Sequence, residues 1–336
     1  MNFLRAEKKI YLKGPFTALP EHIISNQAVL DWMNSTQNPT LISFSTGIRN
    51  RHWVNEDEAC SDLAVRAAEN LFAAKPTERD KINQIILATI SGDYPAPPTS
   101  PLVQYRLGLK NTGAFDVGAA CAGFVVGLHT SAAITQASKG SVLLIASEIR
   151  SKFLNKNNFA TSVLFGDGAA ACVVSIDKEH AEFRFIASAL FADGEVSDTV
   201  STPAGGSRLP AARCTNPELF YITIKENTAL FVKAVHGMVD GANAFLKELN
   251  LSIDDIQWLV PHQGNKNLVL SVAKQLSFPT ERVIKTVEET GNTSGSSVGI
   301  ALDYLREHAK IKAKDKVLLV AAGGGGIAAC ALLEVI

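Results

Sequence analysis

Runs of apolar residues alternate with turn-forming residues along the whole chain and predict an α/β protein. The run Ile82–Ala88 is continuous rather than alternating, which is typical of a strand buried on both faces of a parallel sheet. The stretch Ser61–Phe72 places its apolar residues on one side of a helix. The same reasoning predicts a helix at Asn26–Met33 and further strands at Lys9–Lys13, Ala114–Val117, Ser141–Ser147 and Ala169–Ile176.

The second half of the chain repeats this order of elements. It contains predicted helices at Tyr221–Leu249 and Val298–His308, and predicted strands at Ile256–Val260, Arg282–Thr286, Lys316–Ala322 and Ile327–Val335. The strand, turn and helix around Asn292 match those around Cys121, which indicates an internal duplication of one α/β unit. We therefore expect an N-terminal half at residues 1–176 and a C-terminal half at 177–336, with Asp193–Pro217 forming a long surface loop.

A long stretch of the chain, Val117–Ser138, contains no Asp, Glu, Lys or Arg. It is nearly long enough to cross a bilayer. However, it contains His129 and several small or hydroxylated residues, and its first part completes a predicted strand. A helix that is apolar on every side is expected at the centre of a protein. We therefore expect a central buried helix and no membrane segment.

The balance of charge argues against several classes of partner. Lys plus Arg number 32 and Asp plus Glu number 33 among 336 residues, so no basic excess points to nucleic acid or an anionic membrane. The five cysteines are scattered and form no C-x-x-C motif, which favours neither a disulfide framework nor a zinc site. Because the N-terminus also lacks the apolar run of a signal peptide, we expect a cytoplasmic protein with no metal.

Cys121 follows a predicted strand and a tight turn, where a helix should begin. The unpaired N–H groups and the positive end of the helix dipole favour a thiolate over a thiol at such a position. Cysteines in this environment are often nucleophiles. The alternative is a cysteine that packs as a small buried hydrophobe, which is the commoner role of a free cysteine.

Two more polar residues occupy the same kind of position, a loop that follows a strand of the sheet. They are His262 and Asn292. Such loops gather at one end of a doubled α/β sheet, where ligands bind. A thiolate can accept an acyl group from a thioester, and imidazole and amide N–H groups can stabilise an enolate or oxyanion on a second substrate. Taken alone, His262 would more often be a structural hydrogen-bonding residue and Asn292 a routine turn residue.

Four glycines, Gly323–Gly326, could be mistaken for a phosphate-binding loop. A dinucleotide fingerprint requires a helix after its glycines, whereas Ile327–Val335 has the pattern of a strand. The better interpretation is a hairpin whose backbone closely approaches a reacting group and offers an N–H as an oxyanion donor.

These motifs together resemble the β-ketoacyl-acyl-carrier-protein synthase III family over nearly the full length of the chain. The matching segments are Asp116–Phe124, Val260–Asn265, Gly291–Ser294 and the terminal glycine hairpin. The resemblance implies a thiolase-like five-layered αβαβα fold, a homodimer, and a phosphopantetheine thioester, on an acyl carrier protein or CoA, as the acyl source. It also implies that Cys121 is the acylated nucleophile, that His262 and Asn292 promote decarboxylation and stabilise the enolate, and that the Cys121 and Gly326 N–H groups form the oxyanion hole.

The chain departs from the family pattern at positions that concern the substrate. Leu41 and Phe159 stand where members that use CoA clamp adenine between Trp and Arg, so we expect a donor bound to a carrier protein. In the Pro-rich loop, Ala96 replaces a Phe that closes the acyl pocket of short-chain members from the partner subunit, which favours medium, long or β-ketoacyl groups. Gly264 stands where the family usually has Ala, a minor change.

The leading interpretation is therefore a condensing enzyme that performs a Claisen condensation through an acyl-cysteine, in fatty-acid or secondary (polyketide-like) metabolism. An acyltransferase that moves the acyl group to an amine or hydroxyl also needs Cys121 and remains open. A third possibility is a non-catalytic subunit of a heterodimeric synthase. The intact Cys121, His262 and Asn292 argue against that third possibility.

Overall fold

The computed structural model describes residues 1–225 and 227–336. Its strands are β1 (Asn2–Ala18), β2 (His22–Ser25), β3 (Asn50–Trp53), β4 (Ile82–Ala88), β5 (Gly113–Val117), β6 (Ser141–Glu148), β7 (Gly168–Ser175), β8 (Phe183–Ala192), β9 (Val200–Ser201), β10 (Thr223–Ile224), β11 (Trp258–Pro261), β12 (Lys316–Gly323) and β13 (Ile327–Val335). Its α-helices are α1 (Asn26–Trp32), α2 (Pro39–Thr46), α3 (Cys60–Ala74), α4 (Ser100–Arg106), α5 (Gly123–Ser138), α6 (Phe159–Ser162), α7 (Asn227–Glu248), α8 (Lys266–Gln275), α9 (Val287–Thr290) and α10 (Ser297–His308).

Nine strands form one continuous mixed sheet in the order β11-β12-β13-β8-β1-β7-β6-β4-β5. Strand β4 is parallel to both β5 and β6, and β11 is parallel to β12, as the unbroken apolar runs predict. The two halves of the chain join where β1 pairs antiparallel with β8. The proposed boundary at residues 176 and 177 lies between β7 and β8 and stays a prediction.

Three hydrophobic clusters show how the helices cover this sheet. Helix α3 buries Leu63, Leu71 and their neighbours against one face of the first-half strands. Helices α7 and α8 cover the outer face of the second-half strands. Helices α5 and α10 share the central cluster with strands of both halves, so they form the middle layer. The two halves of the sheet therefore form separate layers, and the order helix, half-sheet, helix, half-sheet, helix is the five-layered thiolase arrangement, so the fold prediction is confirmed.

The prediction of a central buried helix is correct. Phe124, Val125 and Leu128 of α5 are completely inaccessible to solvent. The helix lies between the two halves of the sheet, which cover most of it and explain its apolar sequence, while Ala137 and Ser138 at its end are exposed. Among the described residues, no helix is both long and apolar enough to cross a membrane.

Three predicted elements differ from the structure by more than two residues at a boundary. Strand β1 extends far beyond Lys9–Lys13, because its polar residues lie on exposed parts of a long strand that links both halves. Helix α7 does not begin at Tyr221, since β10 pairs with β9 in a small sheet before it, and Glu226 lies outside the described residues. Within the described residues 282–286, the predicted strand Arg282–Thr286 is reduced to a single bridge between Val283 and Leu259.

Candidate active site

Cys121 lies in one turn of 3-10 helix, Ala120–Ala122, between the end of β5 and the start of α5 at Gly123. The preceding residue, Ala120, has a φ of +45°, a left-handed conformation that a non-glycine residue rarely adopts. This sharp turn brings the Cys121 sulfur to 3.7 Å from the Ser294 hydroxyl of the second half. Strained backbone of this kind is concentrated at functional sites.

The duplicated halves meet at this point. Ser294, three residues before α10, has a φ of +52° and repeats the conformation of Ala120, three residues before α5. Gly295 is therefore the structural counterpart of Cys121, and Asn292 lies a little earlier in the repeat than the sequence comparison suggested. A β-carbon on Gly295 would lie only 2.8 Å from the Ala120 carbonyl oxygen, so glycine permits the close approach of the two turns.

A buried carboxyl group connects the Gly295 turn to the loop that follows β4. The Glu148 side chain at the end of β6 is inaccessible to solvent and accepts a hydrogen bond from the Ser91 hydroxyl at 2.6 Å. It also accepts hydrogen bonds from the backbone N–H groups of Ile90 and Gly295. Burial raises the pKa of Glu148 to about 7, although Arg150 and these donors act in the opposite direction.

The environment of the Cys121 thiol differs from the sequence expectation of a stabilised thiolate. Burial raises the pKa of Cys121, while the Ser294 hydroxyl, the positive charge of Arg150 and the Gly324 N–H each lower it. Burial outweighs these contributions, because a thiolate loses more hydration than the neighbouring donors replace. The free protein therefore holds Cys121 as a thiol.

His262 lies directly after β11 and is 4% exposed. Its Nδ1 atom is 2.8 Å from the hydroxyl oxygen of Ser297, the first residue of α10. Burial lowers the pKa of His262 to about 4, so the imidazole is neutral at physiological pH. A neutral ring with one nitrogen held by Ser297 can act as a hydrogen-bond donor or acceptor through Nε2.

Asn292 has its side-chain orientation fixed by its own turn. Its Oδ1 atom accepts a hydrogen bond from the Ser294 backbone N–H at 2.9 Å. Its backbone N–H donates to the Leu164 carbonyl, and its carbonyl accepts from Gly166. Because Oδ1 is already paired, the amide Nδ2 is the group through which Asn292 can donate a hydrogen bond to a ligand.

The glycine hairpin between β12 and β13 lies against Cys121, since a β-carbon on Gly323 would lie 2.9 Å from the Cys121 nitrogen. The Gly324 N–H lies close enough to the Cys121 sulfur to lower the pKa of the thiol. The predicted donor, Gly326, instead pairs its carbonyl with the Asp193 N–H at 2.9 Å, and a β-carbon on it would lie 1.8 Å from the Asp193 oxygen. Gly324 is thus a second candidate donor to the oxyanion, and the role of the Gly326 N–H stays a prediction. A run of identical residues cannot reveal by sequence alone which member makes the contact.

All three predicted polar residues line one cavity of about 1090 Å³, together with Ala120, Arg150, Phe159 and Gly323–Gly326. Its further walls come from α7 and the loop that follows β8, which supply Phe231, Gly237, Val196 and Val200. Ala96 lies in an exposed loop and is not part of the described lining of this cavity. Leu41 is 52% exposed on α2, also away from the lining.

Several residues of the site were not found by sequence reasoning. Ser294 and Ser297 look like routine helix-start residues, since their role depends on contacts with the other half of the chain. Glu148 did carry a signal, because a carboxyl group that closes the apolar strand Ser141–Ser147 is seldom buried without a purpose.

The fold and the site define a thiolase-fold condensing enzyme, a class of acyltransferases. Residues 115–194 match the family model of 3-oxoacyl-[acyl-carrier-protein] synthase III, and residues 246–335 match the model of its C-terminal part. The chain belongs to this family, which is also called β-ketoacyl-[acyl-carrier-protein] synthase III. The resemblance inferred from the sequence is thus confirmed.

Individual relatives match over nearly their whole length. The chain is 38% identical to β-ketoacyl-[acyl-carrier-protein] synthase III of Chlamydia muridarum over 93% of this chain and 95% of that protein. It is 37% identical to a 3-oxopimeloyl-[acyl-carrier-protein] synthase of Rhodothermus marinus, over 88% and 85% of the two chains. The crystal structure of 3-oxoacyl-(acyl carrier protein) synthase III from Pseudomonas aeruginosa superposes with a TM-score of 0.89, at 32% identity over 97% and 98% of the two chains.

Proposed function

We propose that the enzyme joins two acyl thioesters in a decarboxylative Claisen condensation through an acyl-Cys121 intermediate. The observation that carries the proposal is the convergence of Cys121, His262 and Asn292 on one cavity, with the Gly324 N–H at the sulfur. In the first step the Cys121 sulfur attacks the thioester carbonyl of the donor, the carbon–sulfur bond to phosphopantetheine breaks, and the Cys121 proton passes to the departing phosphopantetheine sulfur. The Gly324 and Cys121 N–H groups stabilise the oxyanion of the tetrahedral intermediate.

In the second step a malonyl-type thioester enters the cavity and loses carbon dioxide. The resulting enolate attacks the acyl-Cys121 carbonyl, a carbon–carbon bond forms, and the Cys121 thiolate departs with the electron pair. His262 and Asn292 stabilise the enolate oxygen by hydrogen bonds from Nε2 and Nδ2. A neutral His262 suits this role, since a donor without a net charge can be held in a buried site at little cost.

The acyl donor in this proposal is bound to an acyl carrier protein. Leu41 is exposed and has no aromatic ring, and Phe159 at the cavity wall has no positive charge. The Trp and Arg that clamp adenine in members that use CoA are therefore both missing. Acylation of Cys121 should therefore be faster from the acyl-carrier-protein thioester than from the CoA thioester of the same acyl group. The reverse order of rates would refute this choice of donor.

The cavity volume supports a medium, long or β-ketoacyl group, because about 1090 Å³ exceeds the needs of an acetyl group. Ala96 is proposed to face the acyl pocket of a second copy of the chain, where its methyl group leaves the pocket open. Ala96→Phe should shift the preferred donor toward shorter acyl chains. An unchanged chain-length preference would show that Ala96 does not border the pocket.

The role proposed for Ala96 requires that two copies of the chain form a homodimer. Strand β5 is the edge of the sheet, and the exposed side chains Tyr94, Tyr105 and Phe115 lie on it or on the neighbouring segments. An uncovered edge strand with apolar neighbours favours pairing with another chain. Sedimentation should give twice the mass of the chain, and Phe115→Asp should reduce it. The control is Phe44→Asp, which alters an even more exposed Phe on α2.

The condensation itself is tested by mass spectrometry of the protein and of its product. Incubation with an acyl-carrier-protein thioester should add one acyl group to the wild type and to Cys214→Ser, and none to Cys121→Ser. Cys214 is a matched control because it is a free cysteine outside the cavity lining. Malonyl-acyl-carrier protein should then release a chain-extended β-ketoacyl product. Ester or amide products would favour plain acyl transfer, and no acylation at all would favour a non-catalytic subunit.

The setting of the reaction is part of the same proposal. All five cysteines are free, which suits the reducing cytoplasm. A β-ketoacyl thioester product belongs to fatty-acid or polyketide-like biosynthesis.

A further inference from the structure

The hydroxyl group of Ser297 connects the start of α10 to the candidate catalytic histidine. Its oxygen lies 2.8 Å from Nδ1 of His262 and 3.4 Å from the backbone nitrogen of Gln263. Ser297 is only 1% exposed, so water does not compete for these contacts. The geometry of the two bonds limits where the protons can be.

The Gln263 nitrogen is a donor, so the Ser297 oxygen accepts that bond. Among the described residues, the only acceptor within reach of the Ser297 O–H proton is then Nδ1 of His262. If Nδ1 carried the imidazole proton instead, the Ser297 proton would be buried without a partner, which is unfavourable. The O–H of Ser297 therefore donates to Nδ1, and the proton of the neutral ring is on Nε2.

The other side of the ring is open for a ligand. His262 and Gly264 both line the cavity, and a β-carbon on Gly264 would lie 3.2 Å from Nε2. Glycine thus leaves the space beside Nε2 free. The proton that Ser297 directs to Nε2 lies on the side of the ring that a substrate can reach.

We infer that Ser297 is a positioning residue that fixes His262 in the Nε2–H tautomer and so makes it a hydrogen-bond donor to the enolate oxygen. The tautomer follows from the contacts alone, and its catalytic use rests on the proposed function. Without Ser297, part of the His262 population would carry its proton on Nδ1 and present a lone pair to an oxygen that is gaining negative charge.

The tautomer can be measured directly by NMR on the wild-type protein with ¹⁵N-labelled histidine. His262 is assigned by the resonances that disappear in His262→Asn. We expect a pyridine-type resonance for Nδ1 and a pyrrole-type resonance for Nε2 near neutral pH. The opposite assignment in the wild type would overturn the inference, whether or not the Ser297 variants fold.

The catalytic consequence is tested by comparing Ser297→Ala with Ser297→Thr, which keeps the hydroxyl. Ser297→Ala should extend the chain about tenfold more slowly, the equivalent of about 1.4 kcal/mol, and lose the single tautomer. Cys121 acylation should continue, and Ser297→Thr should restore both the tautomer and the extension rate. The matched control is Ser296→Ala, because Ser296 is equally buried but donates to the Thr293 carbonyl rather than to His262.

Two results would contradict the catalytic role. One is a Ser297→Ala protein that extends chains as fast as the wild type, and the other is an equal loss in Ser296→Ala. A failure of the proposed function looks different, since the wild type itself would then form no acyl-Cys121 or no extended product while its His262 tautomer remained as described.

Discussion

A β-carbon on Gly264 would lie 3.2 Å from Nε2 of His262, the ring atom that faces the cavity. That separation is tighter than an ordinary van der Waals contact. The sequence pattern suggested that glycine in place of the family's alanine is a minor change. The structure shows that this position borders a candidate catalytic atom, so the substitution bears directly on access to it.

Gly264→Ala should slow chain extension by about threefold to tenfold, because His262 must move by a few tenths of an ångström to accommodate the methyl group. Acylation of Cys121 should be unaffected, since the added methyl group contacts His262 and not the sulfur. The two steps are measured separately by intact-protein mass and by product formation. Gly206→Ala is the control, because a β-carbon there meets nothing within 4 Å. An equal change in both steps would show a general disturbance of the site.

The depressed pKa of His262 predicts that acid destabilises the protein. The unfolded chain binds a proton at this histidine near pH 6.5, whereas the folded protein does so only near pH 4. Between these values the unfolded state holds more protons, so stability falls as the pH falls. From about pH 7 to pH 5, the wild type should lose roughly 2 kcal/mol more unfolding free energy than His262→Asn. Urea denaturation at both pH values measures the difference. Equal losses of unfolding free energy in the two proteins would disprove the lowered pKa of His262.

The raised pKa of Glu148 predicts the opposite effect of pH on stability. Its folded pKa is raised from 4.5 to about 7, so the folded protein holds the proton that the unfolded chain has released. Stability from this group is therefore lost as the pH rises toward 7. Between about pH 5.5 and pH 8, Glu148→Gln should lose roughly 2 kcal/mol less unfolding free energy than the wild type.

The control for this experiment is Glu195→Gln, which neutralises an exposed carboxyl group in the loop after β8. That variant should keep the wild-type dependence on pH. If Glu148→Gln also kept the wild-type dependence of stability on pH, the Glu148 carboxyl group would have to be ionised in the folded protein from about pH 5.5 to pH 8.

Substitutions of Gly237 on α7 test whether the acyl chain occupies the part of the cavity between α7 and the β12–β13 hairpin. A β-carbon at this position would lie 3.7 Å from that of Ala328, so the wall is formed by small residues. Gly237→Leu should reduce loading of long acyl groups about tenfold relative to short ones, because its side chain fills that arm. Gly237→Ala is the control, since one methyl group fits without a clash. Equal loading of all chain lengths by Gly237→Leu would place the acyl chain elsewhere.

The sequence predicted the class of fold because the relevant patterns are local. The run Ile82–Ala88 was identified with the bounds that the structure has. The central helix was recognisable because a helix that is covered over most of its surface has no strongly polar face. The strand Arg282–Thr286 was predicted wrongly, because pairing with the neighbouring chain segment, rather than β-propensity, decides whether an extended segment forms a strand.

The sequence by itself also determined the candidate chemistry, since Cys121, His262 and Asn292 were identifiable from their positions after strands in a duplicated pattern. Only the tertiary structure decided their environment. It placed the Gly324 N–H near the sulfur and Ser297 on Nδ1 of His262, and it made the Cys121 thiol harder to ionise than its place at a helix start suggests. The physical reason is that pKa values and hydrogen-bond partners depend on burial and on contacts between the two halves, which are far apart in the sequence.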